Sequence, residues 1–197
     1  MSIIEDGTGT GIKLRINKLN RAKTDAVTFD REDDAIEYGA GYQITSGQVS
    51  FSSSGQQSAI LYFKNNEDVD CVLDRVVLMI GTGDTSGDWY HRIVRNPTGG
   101  TIIDNQLPAG ISNSNHGSAN ILNGNGAEIY KGIQGDTVTS GTGVPLPVHA
   151  SSNRIVFPIG RRMPKGSSFA IVVTPPTINS GSVIAVSVAH VFLDINQ

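Results

Sequence analysis

The chain has 197 residues, of which 38% are hydrophobic, 17% charged and 23 glycine, with a net charge of −3. That balance describes one folded domain with many tight turns and excludes a disordered chain. The slight acid excess gives no basis for nucleic-acid binding, which draws on a surplus of Lys and Arg.

Residues 1–29 begin with a Gly/Thr run (Gly7, Thr8, Gly9, Thr10, Gly11) and pass through Ile12-Lys13-Leu14-Arg15-Ile16 to a turn at 17–20. The segment alternates like a strand but is too polar to bury a core of its own. It is expected to be an arm that docks elsewhere through Ile3, Ile4, Ile12, Leu14, Ile16 and Leu19. Residues 30–39 read as a short helix, with Asp30 as N-cap, acids in the first turn and Gly39 as the stop, or else as an acidic linker. The arm, an extended hairpin plus this short helix, is therefore assigned to residues 1–41 and the main domain to 42–197.

From Tyr42 onward the pattern is β. Residues 43–53 alternate, 59–64 form an apolar run, and 71–80 are rich in β-branched residues before Gly81. Residues 89–95 end in the strong turn signal Asn96-Pro97-Thr98-Gly99-Gly100. A short strand is expected at 101–104 and a long polar loop at 113–126. Further strands follow at 154–159, 168–174 and 183–193, and the continuous apolar run 170–173 reads as a central strand with both faces covered, or one covered by a partner. Many short strands punctuated by Gly and Pro indicate an all-β, jelly-roll-like β-sandwich with an extended N-terminal arm. The last strand, dense in β-branched residues, reads either as ordinary core or as an oligomer interface through Val183, Ile184, Val186, Val188, Val191 and Phe192.

Signals for chemistry are weak. Residues 76–87 mimic a dinucleotide fingerprint, but the glycines precede Asp88-Trp89-Tyr90-His91, a strand, where the mechanism needs a helix N-terminus. His91, His116, His149 and His190 are scattered, with no metal-ligand spacing. No GxSxG elbow is present. The pairs Asp84/Asp88 and Asp68/Asp70 offer oxygens for Ca²⁺ without the spacing of an EF-hand loop. Trp89 and Tyr90 are either a sugar-stacking platform or, for the tryptophan, ordinary core. Arg161, Arg162 and Lys165 beside a Pro-Lys-Gly turn read as a solvated basic loop. Cys71, the single cysteine, excludes an intrachain disulfide and reads as a buried structural thiol. The longest apolar run, 76–80, is too short to span a bilayer. No secretory leader is visible, so synthesis in a reducing cytoplasm is expected. The expectation is of no enzyme, no cofactor and no metal.

EDGTGTG at 5–11, the NKLNR turn at 17–21, AILYFKNNED at 59–68, IVRNPTGGTII at 93–103 and PKGSSFAI at 164–171 span nearly the whole chain. Together they resemble small β-sandwich structural proteins of bacteriophage virions. The resemblance implies a non-enzymatic accessory component, made in a bacterial cytoplasm and located in the virion. It implies a capsid decoration or cement protein held to the outer shell by its arm and by self-association as a trimer. The major capsid protein or another virion protein would be its partner, with neither nucleic acid nor membrane involved. A neck, tail, baseplate or fibre piece is the alternative within that class, and a carbohydrate-binding β-sandwich module the alternative outside it.

Overall fold

The computed structural model of the chain describes residues 31–81, 83–122, 128–146 and 154–194. In chain order the elements are α1 (Arg31–Glu37), β1 (Gly41–Thr45), β2 (Val49–Phe51), β3 (Ser58–Lys64), β4 (Cys71–Ile80), β5 (Asp84–Ser86) and β6 (Tyr90–Arg95). They continue with α2 (Thr101–Asn105), β7 (Gly110–Asn113), β8 (Ile129–Lys131), β9 (Thr142–Leu146), β10 (Arg154–Met163), β11 (Ser168–Thr174), β12 (Thr177–Ser180) and β13 (Val183–Leu193).

The principal strands pair as a folded-over ribbon. β1 pairs with β13, β3 with β11, β4 with β10 and β6 with β9, always antiparallel. First meets last and the pairing nests inward, which is the jelly-roll connection. One sheet has the order β10-β4-β13-β1-β7, with β2 also on β13, and the other β8-β3-β11-β6-β9. The chain between β6 and β9 contributes β7 and β8, which extend one edge of each sheet beyond β1 and β3. β5 and β12 form a small separate ribbon.

The inner faces enclose one core, in which Ile44, Phe51, Ile60, Phe63, Leu78, Phe169, Ile171 and Val173 are fully buried. β11 is buried along nearly its whole length, as its unbroken apolar run predicts. Its outer face is covered from within the same chain: Ala170 and Val172 join Ala59, Tyr62, Val94 and Ile102 of α2 in a second cluster.

Residues 101–105 are a helical turn, not the strand their Thr-Ile-Ile sequence suggests. Tertiary context overrides propensity here. Gly100 enters at φ 126, with Thr137 and Val138 so close that a Cβ would sit 2.2 Å from the Thr137 carbonyl oxygen. The turn then drops Ile102 onto the sheet. The buried carboxylate of Asp136 accepts hydrogen bonds from Thr101 Oγ1 (2.8 Å), Asn105 Nδ2 (3.0 Å) and the Ile133 amide (2.9 Å).

The helix expected around residues 30–39 is α1, and it stops at Gly39 as the sequence indicates. Gly39 takes φ 69, its amide donates to Ile36 O at 2.9 Å, and the Ala40 amide donates to Ala35 O at 2.7 Å. That pair of bonds is a Schellman cap. Ala35 and Ala40 pack on Val72 and Phe192. The compact unit accordingly runs Arg31–Gln197, so α1 belongs with the sandwich and not with an arm ending at residue 41. The rest of the expected arm, residues 1–30, lies outside the described residues.

Candidate functional site

The outer face of the six-stranded sheet follows from the alternation of β13. Val183, Ala185, Ser187, Ala189 and Val191 point inward and are buried. Ile184, Val186, Val188 and His190 point outward and are half-buried. Register carries this outward set across the sheet, since side chains opposite each other on one face are neighbours. Val188 lies beside Val77, and Val77 beside Val156. Val186 lies beside Met79. Val156 is 45% exposed and Met79 37%, and the exposed Arg154 opposite Met79 and Ser50 opposite Ile184 border them on the same face.

A polar row closes this apolar strip. Arg75 and His190 are register partners there, with Pro158 and Gln43 on the flanking strands. The Arg75 guanidinium binds both carboxylate oxygens of Glu32 on α1 at 2.8 Å, and Asp74 at 2.8 Å. A two-pronged bond of this kind fixes orientation as well as position. Arg75 Nη2 also lies 3.4 Å from His190 Nδ1. A guanidinium only donates, so that ring nitrogen presents its lone pair. Burial, and then the charge of Arg75, lower the His190 pKa. At the same N-terminal end of α1, Arg31 pairs with the buried carboxylate of Asp194, which Arg162 also engages. Thus α1 is clamped over one part of the sheet, and the strip of Val77, Met79, Val156, Ile184, Val186 and Val188 lies beyond it.

Of the interface residues expected from sequence, Ile184, Val186 and Val188 lie together on this face. Val183 and Val191 do not, because strand alternation commits them to the chain's own core. Phe192 sits under α1 with Ala35, Ala40 and Val72. The arm residues Ile3, Ile4, Ile12, Leu14, Ile16 and Leu19 lie outside the described residues. Val77, Met79 and Val156 went unread, because only cross-strand register brings them beside β13.

The residues tested for chemistry have other occupations. Burial, aided by Glu67 and Asp70, pushes the Cys71 thiol pKa up, which leaves a protonated and unreactive group. Trp89 is buried edge-on against Phe51 (5.6 Å, 85°) and presents no face to a sugar, which removes the Trp89–Tyr90 platform. Asp84 accepts bonds from Asn179 and Ser180, at 3.0 Å each, which hold its pKa below the usual range. Asp68 is bound by Lys165, and Asp70 lies 3.7 Å from Arg162. Among the described residues, no three His, Cys, Asp or Glu side chains converge as a metal site.

No protein-family model matches the chain. No curated protein matches it either. A chain from the structure of infectious bursal disease virus, Gx strain, is similar at 16% identity with a TM-score of 0.32. The similarity covers 79% of this chain and 33% of that one, so this chain spans about a third of its length.

Proposed function

We propose that this chain is a non-enzymatic structural protein of a virion, a capsid decoration protein that self-associates through the outer face of its six-stranded sheet. The observation that carries the reading is the contrast between the two sheets. The outer face of β11 is covered by the chain's own α2, whereas Met79 and Val156 on the other sheet remain partly exposed beside Val186 and Val188. Contiguous surface of this kind marks interaction sites. A second copy is the natural occupant, because identical subunits satisfy identical patches by closed symmetry, and a trimer is the state expected. Jelly rolls serve viral capsids among other uses, and the phage-virion resemblance of the sequence points the same way. The arm at residues 1–30 is the proposed tether to the shell, adding strand-type contacts whose number makes up for their individual weakness.

Two measurements test this. Mass measurement of the free protein is expected to give a trimer, and the double variant Val156→Lys with Val188→Lys is expected to give a folded monomer. Cryo-electron microscopy of purified particles is expected to show density over the capsid faces. Density confined to one vertex replaces decoration with a neck, tail or fibre role. A monomeric wild type absent from particles overturns the reading.

A further inference from the structure

The three basic residues noted in the sequence differ in their partners, although Arg161 and Arg162 line one cavity. Arg162 is spent on Asp194 and Asp70, and Lys165 on Asp68. Arg161 is left, and the fold brings it to a cavity shared with Arg95 of β6. Among the described residues neither Arg95 nor Arg161 has a carboxylate or a side-chain hydrogen-bond partner.

The cavity encloses about 410 Å³ at the β10 side of the sandwich, away from the edge that β7 and β8 extend. Its floor is core: Leu73, Ile93, Met163 and Phe169 are buried, and Ile159 is partly buried against them. Strand geometry puts the arginines at its mouth. Arg95 follows Ile93 by two residues on the same face of β6 and registers opposite Phe169. Arg161 registers opposite Leu73, just past a bulge in which Gly160 takes φ 57. Both arginines are exposed.

Other polar groups of the rim are already engaged. Asn96 Oδ1 accepts the Ser168 amide at 2.9 Å, and Ser167 Oγ donates to Pro164 O at 2.6 Å. The wall is braced from behind by buried Asn65, whose Nδ2 donates to Met163 O at 2.8 Å and to Val69 O at 3.0 Å. Two guanidiniums above an apolar floor, in a braced cavity of ligand-binding size, define what fits. Guanidinium forks match the two oxygens of a carboxylate, and the floor rewards an apolar body by removing it from water.

We infer that this cavity is a binding site for a carboxylate carried on an apolar body, with Arg95 and Arg161 holding the carboxylate and Leu73, Ile93, Met163 and Phe169 receiving the body. The chemistry is shared by a free fatty acid and by the C-terminus of a peptide ending in an apolar residue. The site is separate from the sheet face proposed for assembly.

Calorimetric titration of the full chain tests it with decanoate, with decanol, and with a short peptide ending in Leu as free acid or as amide. Saturable one-to-one binding is expected for decanoate, for the free-acid peptide or for both. Replacing the carboxylate by alcohol or amide is expected to weaken binding at least about tenfold. Arg95→Gln with Arg161→Gln is expected to abolish binding while leaving the thermal midpoint unchanged, since both side chains are exposed. Ser167→Trp, which crowds the mouth and keeps both arginines, is expected to block binding as well, and it serves if the double variant fails to fold. Binding of the free-acid peptide alone identifies a partner's C-terminus as the ligand, and binding of decanoate identifies a small amphiphile. Binding that survives the arginine double variant, or no saturable binding by either acid, overturns the inference.

Discussion

The imidazole of His91 lies between the two sheets, 3% exposed, stacked on Phe157 at a centroid distance of 5.0 Å. Neither ring nitrogen has a hydrogen-bond partner among the described residues, and burial lowers the pKa from 6.5 to about 3. The folded state therefore holds a neutral ring at a pH where the unfolded chain binds a proton. Above pH 6.5 both states are neutral and the group contributes no pH dependence. As pH falls from 6.5 toward 3 the unfolded state gains a proton that the folded state refuses, and stability declines by about 2 kcal/mol at pH 5. Urea unfolding at pH 7 and pH 5 is expected to show that loss in the wild type and to lack most of it in His91→Phe. The phenyl ring keeps the stack and strands no buried nitrogen, so the variant is also expected to be more stable at pH 7. An unchanged pH dependence in His91→Phe sinks the assignment.

Elements differ in how far the sequence announces them, and the reasons are physical. β4, β11 and β13 are legible end to end, since each is a long β-branched or apolar run stopped by turn residues. β5, β8 and β12 are short, and β5 and β12 are polar, so no period marks them. β10 runs past its apolar start to Met163 because a bulge at Pro158/Arg161 lets the ladder resume. The candidate assembly face was half legible. Alternation sorts β13 into two sets, but only the pairing with β4 and β1 reveals which set the core claims. α2 is the element misread, and its cause can be tested. If Asp136 holds the turn against its local β preference, Asp136→Ala should cost about 2–4 kcal/mol by stranding Thr101, Asn105 and the Ile133 amide. Thr101→Val should be non-additive with it by roughly 0.5 kcal/mol or more in a double-mutant cycle. Additive losses would mean that Ile102 burial alone holds the turn.

At the scale of the whole molecule, nested pairing ties the two ends of the described chain together: β1 and β13 are adjacent, and α1 is clamped just past the end of β13 through Arg31–Asp194 and to β4 through Glu32–Arg75. Every buried hydrophobic residue of the three clusters belongs to residues 35–192. Among the described residues, a chain starting at residue 30 therefore keeps all three clusters, both sheets and the α1 clamp. Deleting residues 1–29 is expected to shift the thermal midpoint by no more than about 4 °C, the effect of roughly 1 kcal/mol in a domain of this size. The same deletion is expected to remove binding to particles, since the proposed tether is gone, while the sheet face remains to support self-association. Calorimetry of the truncated protein, its mass in solution and its co-sedimentation with particles separate these effects. If the truncated chain unfolds, residues 1–29 are part of the domain's stability and the tether role loses its basis. If it folds and still binds particles, attachment runs through the sandwich itself.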